Sequence, residues 1–105
     1  MAPIAQTPEP PYYAVIFTSQ RTEGDQGYAE VAARMVELAA TQPGFLGIET
    51  AGRGVAITVS YWADLESIRR WKADLDHQGA RRLGHERWYS SFHVRVAKVE
   101  RAYGI

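Results

Sequence analysis

Within residues 57–77, ITVSYWADLESIRRWKADLDH, the spacing of apolar positions changes from two to about 3.6. Ile57, Val59 and Tyr61 alternate with Thr58, Ser60 and Trp62, which predicts a strand with two distinct faces. Asp64 is a good N-cap and Glu66 puts a carboxylate in the first helical turn. Leu65, Ile68, Trp71 or Lys72, and Leu75 then recur at helical spacing. A strand that feeds straight into an amphipathic helix lays that helix back across its sheet. Trp71 falls at the boundary between the two, where a pocket can form.

The same reading extends along the chain. Residues 1–11, MAPIAQTPEPP, hold four of the five prolines and read as an extended, flexible arm, with one domain over residues 12–105. Residues 12–19, YYAVIFTS, predict a first strand with Tyr13, Val15 and Phe17 on one face and Ala14, Ile16 and Thr18 on the other. After the polar loop QRTEGDQG, Asp25 is a candidate N-cap. Tyr28, Val31, Ala32, Met35, Leu38 and Ala39 mark one face of a helix that ends near Thr41, stopped by Pro43-Gly44. Residues 45–51 form the second strand, and Gly52-Arg53-Gly54 reads as a tight hairpin into the third rather than a phosphate loop, because a strand follows it. Residues 78–87, QGARRLGHER, are a helical piece interrupted by Gly79 and Gly84. The last strand covers residues 88–100, with Phe92, Val94 and Val96 alternating against His93, Arg95 and Ala97.

The order β-α-β-β-α-β is an α+β, ferredoxin-like arrangement: a four-stranded antiparallel sheet with both helices on one face. The reverse face carries apolar groups and needs a cover. A second copy of the sheet would supply it, closing a barrel-like homodimer.

Composition narrows the chemistry. The 105 residues are 46% hydrophobic and 23% charged, ordinary for one small domain. Without cysteine there is no disulfide framework, thiolate nucleophile or Cys-zinc site. No apolar run approaches the roughly 20 residues of a membrane span, and the first residues lack the pattern of a signal peptide, so a cytoplasmic protein is expected. The formal charge is zero, divided as −3 over residues 1–63 and +3 over residues 64–105. That asymmetry makes no nucleic-acid footprint but suits a dimer seam or a small anion.

Several side chains carry candidate chemistry. Trp71 either lines a pocket and stacks on a flat ligand or packs as core. Trp88 and Tyr89 open the last strand with groups that need polar partners, at a pocket mouth or in strand packing. His77 is the best general base by side-chain chemistry, since imidazole titrates near neutrality. His77 and His85 are about 12 Å apart on an ideal helix, too far to chelate one ion, so no metal site is expected. HERWY lacks the second histidine of a zinc-protease helix. His93 and Arg95 share a face and bind an anion in a cavity or pair with acids such as Glu49, across strands or at the dimer seam.

The strand AVIFTSQRT, the segment QPGFLGIE, the central VSYWADLESIRRWK and the final HERWYSSFHVRVAKVER together resemble the antibiotic biosynthesis monooxygenase superfamily of dimeric α+β barrels. The resemblance covers nearly the whole chain after Pro11. It implies a cofactor-independent monooxygenase acting on a small planar aromatic or quinol-type compound, with no cofactor and one pocket per subunit between sheet and helices. In such chemistry His77 would be the base, Trp71 and Tyr61 the stacking walls, and Arg81 or Arg95 the partner of an anion. The family's haem-degrading branch uses an Asn at the end of the first strand, a Trp on the second helix and a His beyond it. Trp71 matches, but Ser19-Gln20 stands in place of the Asn, and the ligand position falls on Arg81, which has no lone pair for a metal. The alternatives are a non-catalytic module binding a small hydrophobic ligand, haem included, and a purely structural dimer.

Overall fold

The computed structural model describes residues 4–24, 27–77 and 88–105, and all contacts below are among them. The elements are β1 (Tyr12–Arg21), α1 (Tyr28–Ala40), β2 (Phe45–Arg53), β3 (Val55–Trp62), α2 (Leu65–His77) and β4 (Tyr89–Val99). They form one four-stranded sheet of order β2-β3-β1-β4 in which every neighbouring pair is antiparallel. This is the ferredoxin-like β-α-β-β-α-β arrangement expected from the alternation of periods.

Register decides which side chains share a face. Tyr13 pairs with Trp62, Val15 with Ser60 and Phe17 with Thr58 on β3, while the same three β1 residues pair with Lys98, Val96 and Val94 on β4. Directly opposed residues of an antiparallel pair project from the same side. Trp62 stacks on Trp71 of α2, so this row is the helix side of the sheet. The alternate row, with Tyr12, Ala14, Ile16 and Thr18 beside Tyr61, Val59, Ile57, Arg95 and His93, forms the reverse side.

Local signals explain the helices. On α1 the expected stripe of Tyr28, Val31, Ala32, Met35, Leu38 and Ala39 is the less exposed face, and Thr41 closes the helix by donating from Oγ1 to the Leu38 carbonyl. Asp25 lies outside the described residues, and the residue before the helix is Gly27 with φ +86°. Asp64 caps α2 as its sequence predicts, its Oδ1 accepting the Ser67 amide N–H at 2.7 Å. That bond holds the Asp64 carboxyl below its usual range, so the cap is stabilising above that range and is lost in acid. Leu65, expected on the buried stripe, is instead exposed, and Ser67 is buried in its place. The cause is the turn before β2. Gly44 sits at φ +83° against Ser67, so the first turn of α2 rests on a backbone that admits only a small polar residue.

Gly54 alone separates the paired Arg53 and Val55 in the β2–β3 hairpin. Residues 4–11 approach the reverse side of the sheet. The Ala5 amide donates to Glu49 Oε2 at 3.1 Å, and Thr7 Oγ1 donates to the Tyr12 hydroxyl at 3.0 Å.

Gly44 and Gly54 provide a test of the turn argument. Both have positive φ, but a Cβ at Gly54 meets nothing, whereas one at Gly44 overlaps Ser67. Urea unfolding should show Gly44→Ala destabilised by about 1–3 kcal/mol and Gly54→Ala by less. Equal losses would mean that the Ser67 contact contributes nothing.

Candidate functional site

The helix side of the sheet carries aromatic groups at both ends and aliphatic groups between them. At one end Trp62, with 0% of its surface exposed, lies edge-on to Phe45 (5.4 Å) and stacked on Trp71 (6.1 Å, 28°). Its Nε1–H donates to Ser60 Oγ at 2.9 Å, which satisfies the one polar atom such a ring buries. The two indoles touch; a third ring between them would need two stacking separations of about 3.5 Å each. The pair is therefore a wall and not a clamp.

The other end is built where β1 and β4 finish pairing. Phe17 stacks on Phe92 at 5.4 Å, and Tyr89 stands edge-on to both, at 5.3 and 5.8 Å. Tyr28, the first residue of α1, meets Tyr89 at 5.8 Å and Trp88 at 5.6 Å. The Arg21 guanidinium lies 3.5 Å from the centre of the Tyr28 ring. Between the ends, Val94 and Val96 face the helix side yet remain 48% and 51% exposed. Four residues of strand separate Phe17 from Tyr13 and its partner Trp62, so the two ends lie about 13 Å apart with an apolar strip of sheet between them, which we call the trough. Thr50 and Thr58 share a 2.8 Å hydrogen bond on this side and are its near polar groups on β2 and β3.

Such a trough, with aromatic ends and an aliphatic floor, suits a flat apolar molecule with a few oxygens. Among the described residues no three His, Asp or Glu side chains gather in a way that would hold a metal ion, and no helix is long and apolar enough to cross a membrane.

The family model for antibiotic biosynthesis monooxygenase matches residues 11–83. The chain belongs to the antibiotic biosynthesis monooxygenase family. It is 55% identical over 102 residues to the uncharacterized Bacillus subtilis protein YqjZ, an alignment that covers 93% of this chain and 88% of that one. Several solved structures share its fold, among them two at TM-scores of about 0.7. One is a variant of SnoaB, a cofactor-independent oxygenase from Streptomyces nogalater (TM-score 0.69, 18% identity, 87% of this chain and 95% of that one). The other is a conserved protein from Methanosarcina mazei Go1 (TM-score 0.72, 11% identity, 83% and 91%). At those identities the likeness is one of fold alone.

In this family member the residues singled out from sequence separate into groups. Trp71 stands at one end of the trough, and Trp88 and Tyr89 at the other. His77 is exposed at the last turn of α2, six residues and about 9 Å along the axis from Trp71. Six residues also rotate it off the Trp71 face. Tyr61 and Arg95 lie on the reverse side of the sheet, away from the tryptophan pair. Arg81 lies outside the described residues.

Sequence reasoning put Tyr28 on the α1 stripe without a role at the site, and it did not find Arg21, because the first strand was expected to end at Ser19. Continued by two residues, the row Tyr13, Val15, Phe17 reaches Arg21 on the same face, which is the signal that would have found it. Trp62 and Phe45 were placed on strands without a role. A wide, shallow depression of about 400 Å³ is lined by Thr18, Ser19, Gln20, Val55, Ser91, Phe92 and His93, most of them on the reverse side. Phe92 belongs both to it and to the far end of the helix side.

Two phenols are perturbed. Burial first, then the 2.6 Å hydrogen bond to Glu49 Oε1 and that carboxylate's charge, push Tyr61 from 10.0 up to about 12. Burial and then contact with Tyr28 push Tyr89 upward as well, against the pull of Arg21. A raised phenol stabilises the fold below its ordinary value and ceases to as pH rises through the folded value. In an alkaline titration followed by phenolate absorbance, two of the six tyrosines should ionise after the rest. Tyr61→Phe should remove the step at about 12, and Glu49→Gln should move that step down. A step at about 12 that survives Tyr61→Phe would overturn the assignment, whereas the late step of Tyr89 should persist in both variants.

Proposed function

We propose that this chain is a cofactor-independent monooxygenase acting on a small planar aromatic or quinol-type compound, and that it works as a homodimer. The observation that carries the reading is the trough itself: the Trp62–Trp71 wall faces the Phe17–Phe92–Tyr89 end across half-exposed Val94 and Val96. Family membership and the fold shared with SnoaB support it.

The chemistry asks little of the protein besides placement. A base removes an acidic proton from a phenol or its keto tautomer, and the resulting anion gives an electron to dioxygen. Recombination forms a carbon–oxygen bond. Where that carbon is a ring methylene, one oxygen atom ends as a carbonyl and the other leaves as water, with the substrate supplying all four electrons. The protein's part is to exclude water, hold the ring and accept the proton. Trp71 stacks on the ring, with Trp88 and Tyr89 at the far end. His77, at the exposed end of α2, is the candidate base, and Arg81 a candidate partner for an anionic group.

Tyr61 and Arg95 face the other way and would touch only what covers the reverse side. There Val55 and Ile57 are 52% and 45% exposed on β3, and His93, Arg95 and Ala97 are exposed on β4. A second copy laid sheet to sheet would bury this surface. Sedimentation should find a dimer, and Ile57→Arg should shift it toward monomer. A wild-type chain that sediments as a monomer at micromolar concentration would rule the dimer out.

Oxygen consumption with a panel of quinols and anthrones tests the activity. Trp71→Ala should lower kcat/KM at least about tenfold, and His77→Ala should lower kcat by about 100-fold or more. Undiminished turnover by His77→Ala would remove His77 from the role of base. Tight binding of these compounds without oxygen uptake would make the chain a binding module instead.

A further inference from the structure

The Arg21–Tyr28–Tyr89 cluster closes one end of the trough with a cation and two hydroxyl groups, in surroundings that are otherwise aromatic. Resting on the reading that the trough takes a planar aromatic, we propose that this cluster recognises an ionised oxygen on that ligand. The chain thereby selects hydroxyquinones and acidic phenols over neutral molecules of the same shape.

Each part of the cluster is held for that task. Arg21 is the last residue of β1 and pairs with Tyr89 across an irregularity in the ladder, so the two side chains leave the same side of the sheet. Its Nε–H donates to the Trp88 carbonyl and an Nη2 hydrogen to the Gly24 carbonyl, both at 3.3 Å. Those bonds fix the guanidinium plane against the Tyr28 ring. A guanidinium held over a ring is weakly hydrated, and the donors of its planar fork that those two bonds do not use point outward along its rim. Its positive charge reaches the Tyr89 hydroxyl.

Two adjoining hydroxyls carry two hydrogens. A bond between Tyr28 and Tyr89 uses one and leaves the other to be donated elsewhere. Phe17 and Phe92, against which Tyr89 stands, supply apolar walls in which hydrogen bonds to an anion are stronger than in water. A neutral donor beside a fixed cation complements an oxygen bearing one negative charge. A neutral ether oxygen in the same place would accept a hydrogen bond but gain less, because it carries no charge for the cation to attract.

The test compares two naphthoquinones of nearly equal shape. 2-Hydroxy-1,4-naphthoquinone is an anion at neutral pH, and its 2-methoxy analogue is neutral. Binding to the full chain is followed by quenching of tryptophan fluorescence. The wild type should bind the hydroxy compound about ten times more tightly than the methoxy compound, as expected for a charge-assisted pair. In Arg21→Gln and Tyr89→Phe the two affinities should converge to within about threefold, chiefly through weaker binding of the hydroxy compound. Tyr89→Phe removes a single oxygen, so it decides the matter if Arg21→Gln fails to fold. A second readout is the visible spectrum of the bound hydroxyquinone, whose ionisation should shift to lower pH on the wild type but not on Tyr89→Phe.

If both compounds bind the wild type equally, or if the preference survives both substitutions, the cluster is structural and the inference is wrong while the trough stands. If neither compound binds, the trough reading fails with it.

Discussion

The fold turns on one buried ring. Trp62 ends β3, opposes Tyr13 on β1 and Phe45 on β2, and carries Trp71 of α2 on its face. It joins three strands and a helix through a single side chain with no exposed surface. Truncating so large a core residue costs about 3–5 kcal/mol, against the roughly 5–15 kcal/mol of a typical domain. The neighbouring elements depend on the same corner. Ala63 follows Trp62 and its amide donates to the Gly44 carbonyl at 2.8 Å, while Asp64 caps the helix and Ser67 packs on Gly44. The change from strand to helix thus takes two residues, and the position of Trp71 over the sheet follows from it.

Because that corner fixes the helix side, it also separates two chemistries. The helix side holds the indoles, the phenylalanines, the valines of β4 and the Arg21 cluster. The reverse side holds Glu49, whose two oxygens accept the Tyr61 hydroxyl and the Ala5 amide, together with His93 and Arg95. The sequence offered Glu49 as one acid for Arg95, across strands or at the dimer seam, but the strand order puts β2 and β4 at opposite edges. Three inter-strand spacings, about 14 Å, lie between them, so any pairing is with another copy. A residue's face therefore decides which set of neighbours it can meet.

Periodicity alone was enough for the element order, the stripe of α1, the Asp64 cap and the β2–β3 hairpin, because each rests on contacts a few residues apart in the chain. The site was less legible. Trp71, Trp88 and Tyr89 stood out as large amphipathic rings, and all three border the trough. Tyr61 was assigned to the same site as Trp71, though alternation already put it on the face opposite Trp62. What alternation lacked was the knowledge of which face the helices take, and that is set by Trp62 meeting Trp71 across the chain. Arg21 was missed for a related reason. A polar residue after Thr18-Ser19-Gln20 reads as loop, and only pairing with Tyr89 on a distant strand keeps β1 extended that far. Leu65 failed in the opposite direction, since a local apolar pattern yielded to the tight contact between Ser67 and Gly44.

The edge strand shows how one element serves both sides. β4 is 11 residues long and pairs only with β1, so its other backbone edge is unpaired within the sheet. A long free edge invites pairing with another chain, and charged side chains along it are one means of preventing that. Here His93, Arg95 and Lys98 fall at intervals of two and three residues, the first two on the reverse side and Lys98 on the helix side. Cations on both sides oppose a like strand approaching edge to edge, since two copies of β4 would bring like charges together. What remains open to a second copy is the broad reverse face and not the edge. On the helix side the same strand offers Val94 and Val96 as a floor. β4 thus presents Val94 and Val96 on the helix side and His93, Arg95 and Ala97 on the reverse side, and all five are exposed.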